Sequence, residues 1–243
     1  MLLFIRRSLW RIVVGLLAGL AWAEPGRAVT PDYAPLSADM AAGTRYLVSA
    51  EVLHPTQFSL GFREVRHKQA KFDRMTPTKA VAELKEKNVP VVIGPGGVFY
   101  MTDGHHTIRA LLESQQAAKH AYGTVIANWR DLPVDEFWRR MVASNYANLQ
   151  DAVGHQRPAA ELPATLRAMA SDVYRGLAWA VMKRDGFAER KDVYFQEFRW
   201  ADFFRPRVRW DDANDAEFAR AVEEAVRLAQ SPEAAGLPGY VGR

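Results

Sequence analysis

The chain has 243 residues, 49% hydrophobic and 25% charged, which is globular composition without a low-complexity signature. It holds no cysteine, so disulfides, zinc–thiolate sites, thiol nucleophiles and sulfur redox chemistry are excluded. The formal charge is +4, but three arginines and no acid fall in the first 23 residues; the remainder sets 29 basic against 28 acidic residues, so no strong global field steers it to nucleic acid.

Residues 1–23 read as an address. Arg6, Arg7 and Arg11 give a basic start, Ile12 to Trp22 is an apolar run, and Ala21-Trp22-Ala23 is a small-x-small site ahead of Glu24-Pro25. This is the pattern of a secretory signal peptide, which implies a periplasmic or secreted protein. The apolar run is shorter than the ~20 residues a membrane span requires. An uncleaved anchor that includes Met1 to Ile5 is the other reading; after cleavage no stable membrane insertion is expected. Residues 24–44, rich in Pro, Ala and Gly, read as a linker or mobile arm.

Order is expected from about Arg45. Tyr46 to Leu53 alternates like a strand until His54-Pro55. Thr76-Pro77 opens a helix that carries Ala80, Val81 and Leu84 and ends at Asn88. Val89 to Ile93 and Val98 to Thr102 form a hairpin around Gly94-Pro95-Gly96-Gly97. The second strand runs into Asp103-Gly104-His105-His106, after which Ile108, Leu111 and Leu112 give helical periodicity, and Gly123 to Trp129 is a last strand. Residues 45–130 are thus an α+β unit. Residues 131–230 read as a mainly helical extension with stripes Phe137/Trp138/Met141/Val142, Leu166/Met169/Val173/Leu177 and Phe218/Val222/Ala225/Val226/Ala229; residues 231–243 read as a frayed tail.

The strand-to-helix turn is the candidate site. A helix start exposes unpaired N–H groups and the positive dipole end. Gly104 permits positive φ or close approach of a ligand. The two imidazoles, Thr107 and Arg109 add hydrogen bonds or charge, so the parts make a phosphate or carboxylate cradle. Asp103 at the strand end is placed to accept a proton, hold a metal ion or orient a histidine. The same residues also fit a plain N-cap with one histidine in the core and one in solvent. No other histidine-rich cluster completes a metal site, and no residue is assigned to a metal.

The stretch Leu53-His54-Pro55-Thr56-Gln57, then Gly61, Val65 and Lys68, then Pro90 to Pro95 and Asp103-Gly104-His105-His106, resembles the ParB-like nuclease family of the ParB/sulfiredoxin superfamily. Leu162-Pro163, Asp172-x-x-Arg175-x-Leu177 and Phe198-x-Trp200-Ala201-Asp202 resemble that family's C-terminal extension. The resemblance implies a mixed-sheet ParB/sulfiredoxin-like domain followed by helices. It implies phosphate or substrate contacts at Lys68 and Gln57, beside Gly104, Thr107 and Arg109, with Asp103, His105 and His106 as the chemical residues. In ParB partition proteins the matching turn, Gly-Glu-Arg-Arg, grips nucleotide phosphates, and Gly104 matches its glycine. In sulfiredoxins the turn carries a cysteine where this chain has His105, so sulfinic acid reduction is not supported. Free serine kinases have an Asp-Gly-His turn whose Asp acts in phosphoryl transfer; their catalytic glutamate has only Glu51 and Glu64 as candidate counterparts here.

The function expected is phosphate handling, nuclease-like or as another hydrolase, on a phosphate-containing small molecule or nucleic acid, with a divalent metal such as Mg as a possible cofactor. A non-catalytic nucleotide- or anion-binding module and a phosphotransferase like the free serine kinases are the alternatives. Export favours hydrolysis, because free nucleoside triphosphate is scarce outside the cytoplasm.

Overall fold

The structure is a computed structural model that describes residues 32–242. The signal pattern of residues 1–23 and the first part of the expected linker lie outside the described residues.

A five-stranded mixed sheet organises the N-terminal half in the order β1-β2-β6-β4-β5. Its strands are β1 (Ala34–Pro35), β2 (Arg45–Ser49), β4 (Val89–Ile93), β5 (Phe99–Met101) and β6 (His120–Asn128). The interior strand β4 is apolar throughout because both faces are covered. Val89, Val91 and Ile93 point into one core with Tyr46, Ile108 and Leu111, whereas Val92 points into another with Phe137 and Met141. β4 pairs parallel with β6 and antiparallel with β5, so the expected hairpin is present and sets the end of β5 beside its partner's start.

The helices of this half are α1 (Phe62–Asp73), α2 (Pro77–Lys87) and α3 (His105–Glu113). α2 begins as its sequence dictates: the Thr76 hydroxyl accepts from the Lys79 amide at 3.4 Å, Pro77 fills the first turn, and Asn88 closes the helix with φ 46°. α1 falls in the stretch between His54-Pro55 and Thr76, to which the sequence assigned no element. Its apolar side is narrow, Val65 and Phe72 being buried with Phe62 partly so, and Arg66-His67-Lys68 lies between these positions.

Three further expectations are corrected. Residues 32–44 are not a free arm: β1 pairs parallel with β2, and Leu36 and Met40 pack on the core. The stripe from Leu166 to Leu177 is not one helix. Leu166–Ala168 is a single 3-10 turn, β7 (Ala170–Ser171) pairs with β3 (Ser59–Leu60), and α5 (Val173–Met182) starts only after Asp172, whose carboxylate accepts from the Tyr174 and Arg175 amides. The tail is docked, because Gln196 Nε2 and Trp200 Nε1 both donate to the Pro238 carbonyl at 2.9 Å and Leu237 and Tyr240 pack on the helical core.

The helical extension divides between two roles. α4 (Val134–Ala143) covers the far face of the sheet through Phe137 and Met141. α5, α6 (Gln196–Phe204) and α7 (Asp215–Gln230) enclose their own core around Trp200, Phe204, Phe187 and Val222. α5 packs on α1, and its Arg175 lines the same cavity as the start of α3. Among the described residues, no helix is long and apolar enough to cross a membrane.

Candidate functional site

The end of β5 delivers the chain to a cavity of about 720 Å³ lined by the turn Asp103 to Thr107, by Gln57, Glu64 and Lys68, and by Arg175, Glu197 and Phe198 from the extension. Gly104 adopts φ 88° there, a left-handed conformation that turns β5 into α3, and an added Cβ would meet Lys87 Cε at 3.0 Å. The first N–H groups of a helix have no intrahelical acceptors. In α3 these belong to His105, His106 and Thr107, all three of which line the cavity.

The two histidines hold the turn in place. The Thr56 amide donates to His105 Nε2 at 3.1 Å, and the Gly61 amide donates to His106 Nε2 at the same distance. Each ring is therefore an acceptor at Nε2 and carries its proton on Nδ1. Thr56 Oγ1 also donates to the Met101 carbonyl at 2.9 Å. The segment after β2 is thus stapled to the strand–helix turn at three points. Burial pushes the His105 imidazole down to about 3. Burial, then Arg175 and Lys68, hold His106 well below its usual value. Both rings are neutral at pH 7, and neither has a free Nε2 lone pair for proton abstraction.

Asp103 stands at the rim, its side chain 69% exposed, in an ion pair of 2.7 Å with Lys87. Burial raises its pKa, but the Lys87 ammonium and the Gly104 amide outweigh this and leave the carboxyl below its ordinary range. Arg109 does not join the cradle: its guanidinium donates to the Leu166 carbonyl and to Glu113, fastening the 3-10 turn to α3. It lies one helical turn past the cavity and faces the core side. Lys68 does face inward, with Nζ donating to Thr107 Oγ1 at 3.1 Å and pairing with Glu64 Oε1 at 3.0 Å. Gln57 is a wall of the site, its Oε1 accepting from Arg175 Nη1 at 3.0 Å.

Two carboxylates, Glu64 and Glu197, also line the cavity. Glu64 is 6% exposed, and its Oε2 has no hydrogen-bond partner. Glu197 sits two residues past Phe195, which takes φ 56° and bends the chain into α6. Burial, then the charge of Glu64, raise Glu197 to about 7, against the nearby Arg175 and Lys68. Arg175, 4% exposed, lies 3.5 Å from Glu197 Oε2 and stacks over Phe198 at 3.9 Å. Asp172 caps α5 and pairs with Arg205 at 2.9 Å, which fixes the helix that presents Arg175. Glu64, His106 and Glu197 each offer one ligand atom within 4.8 Å of the others, a spacing that could hold a metal ion.

The sequence therefore located the turn, Lys68, Thr107 and Gln57, which the fold brings together. It did not single out Glu197, and it named Glu64 only as one of two candidates. Arg175 was visible only as part of a motif.

A family model described as "Putative ParB-like nuclease" matches residues 47–206. Among solved structures, the chain is similar to the crystal structure of protein Atu1540 from Agrobacterium tumefaciens, with 33% identity and a TM-score of 0.74 over 84% of this chain and 100% of that one. No curated protein matches the chain.

Proposed function

Since the chain belongs to the ParB-like nuclease family, we propose that it hydrolyses phosphodiesters in the cavity beneath the Asp103–Thr107 turn. In this reading the phosphate sits against the amides that open α3, with Lys68 and Arg175 neutralising its oxygens. The Glu64–Glu197 pair takes up the proton of an attacking water, and Glu197, at about 7, is matched to that task near neutral pH. His105 and His106 hold the turn to Thr56 and Gly61 and so position the amides, instead of moving protons themselves. Asp103 and Lys87 form the entrance, where a substrate can exchange their ion pair for its own.

The observation that carries the reading is the convergence of two basic side chains, one buried carboxylate and one half-buried carboxylate from three separate stretches of sequence on one cavity. A carboxylate raised to about 7 beside basic side chains in a cavity supports a functional site there. The N-terminal pattern Arg6-Arg7 to Ala23 supports export, and an extracytoplasmic address suits hydrolysis of polymers better than consumption of a triphosphate.

The test is cleavage of bis(p-nitrophenyl) phosphate and of a quenched fluorescent oligonucleotide by wild type and by Glu197→Gln. Loss of about 10²-fold or more in the variant is expected for a general base. No cleavage by wild type with or without divalent ions overturns the hydrolase reading. If phosphate ligands still bind, the protein is an anion-binding module.

A further inference from the structure

We propose that Glu64, His106 and Glu197 form a site for a divalent first-row transition ion. The three side chains come from α1, α3 and the first turn of α6, and one ligand atom of each lies within 4.8 Å of the other two. The inference rests on the same cavity as the hydrolase reading and gives its two carboxylates a second role, as ligands.

An independent observation points to an occupant. Glu64 is 6% exposed, yet its Oε2 has no hydrogen-bond partner. A buried carboxylate oxygen left in this way is costly unless something positive meets it. Oε2 instead faces His106 Nε2 at 3.5 Å. That nitrogen already accepts from the Gly61 amide, so its proton resides on Nδ1. Two acceptors thus oppose one another with no hydrogen between them. A cation there satisfies both, at the loss of one hydrogen bond when Nε2 turns from Gly61.

The surroundings orient the ligands. Lys68 Nζ holds Glu64 Oε1 at 3.0 Å, and Arg175 Nη2 holds Glu197 Oε2 at 3.5 Å. Each carboxylate therefore keeps one oxygen on a fixed base and has the other left for an ion, the outer-shell arrangement usual around metal ligands. Lys68 and Arg175 also offset the carboxylate charge, which points to moderate affinity. Two carboxylates and one imidazole suit Mn²⁺, Fe²⁺ or Zn²⁺ better than Mg²⁺, which favours oxygen alone. The ion expected here thus differs from the magnesium that nuclease chemistry suggests.

The experiment is titration of Mn²⁺ into the EDTA-treated full chain, with free Mn²⁺ followed by electron paramagnetic resonance. One ion per chain is expected, and Glu64→Gln and Glu197→Gln should each weaken binding by about tenfold or more. Absence of stoichiometric binding by wild type, or its retention in the double variant, overturns the site. Wild-type crystals soaked in MnCl₂ make the test independent of how the variants fold. An anomalous peak among the three side chains is expected, and a peak elsewhere or none overturns the proposal. Mn²⁺ binding without phosphodiester cleavage keeps the ion site and removes the hydrolase reading. Cleavage indifferent to EDTA, by protein that binds no Mn²⁺, does the reverse.

Discussion

Acidification should loosen this fold through the two turn histidines, by an amount set by their burial. Unfolded, a histidine titrates near 6.5; in the fold His105 falls to about 3 and His106 well below its usual value. Between those limits the unfolded chain binds more protons than the folded one. Stability from each ring is therefore complete above pH 6.5 and is lost as pH falls, at about 1.4 kcal/mol per pH unit. Glu197 acts with the opposite sign, because burial raises it from 4.5 to about 7. The folded chain then holds a proton that the unfolded chain lacks, and stability grows by about 1.4 kcal/mol per unit as pH drops from 7 towards 4.5. Between pH 6 and 5 the loss from His105 and the gain from Glu197 oppose each other, and His106 adds a loss of the same sign as His105, so stability falls. Urea unfolding followed by tryptophan fluorescence, in EDTA at pH 7.5, 6 and 5, measures it. His105→Gln keeps an acceptor oxygen for the Thr56 amide but cannot titrate, so the loss should shrink by about 1.4 kcal/mol. Glu197→Gln should deepen it by about 1.4 kcal/mol per unit. A wild-type slope in His105→Gln would refute the argument that burial and a backbone amide hold this ring neutral.

Other expectations follow from single contacts. Lys68→Ala should weaken pyrophosphate binding about tenfold in a thermal-shift titration, since one charge-assisted contact of about 1.4 kcal/mol is removed. Asp172→Ala removes the cap of α5 and strands the guanidinium of Arg205, so Tm should fall by the equivalent of about 3–5 kcal/mol, with Asp172→Asn milder because the amide oxygen still caps. Gly104→Ala places a Cβ on a φ of 88° and should cost about 1–2 kcal/mol in denaturant unfolding. N-terminal sequencing of the protein recovered from the periplasm should begin at Glu24, and a chain beginning at Met1 would contradict export with cleavage.

The sequence made some elements plain because their signals are local. Thr76-Pro77 and Asn88 bound α2 through capping and a left-handed residue, and the apolar run of β4 followed by Gly-Pro-Gly-Gly could only turn back on itself. The Asp103–His106 turn was legible for a similar reason: a glycine between a strand and a helix marks a left-handed turn of the backbone. α1 was hidden because its buried apolar residues are only Val65 and Phe72, and the run Arg66 to Lys71 imitates a solvated loop. Pro- and Ala-rich composition concealed β1, whose order comes from pairing with β2 and not from its own residues. Within the site, Arg175 and Glu197 escaped sequence reasoning because only β3–β7 pairing and the docking of α5 and α6 bring them to α3. Arg109 misled for the converse reason: its distance along the chain from Gly104 suggested the cradle, but helical rotation aims it at Leu166.

The most direct test of the account is a crystal structure with a non-hydrolysable phosphorothioate dinucleotide at saturating concentration. Its phosphorus centre should lie against the first amides of α3, within reach of Lys68 Nζ and the Arg175 guanidinium. Density for the ligand at any other surface, with this cavity left to solvent, would contradict it.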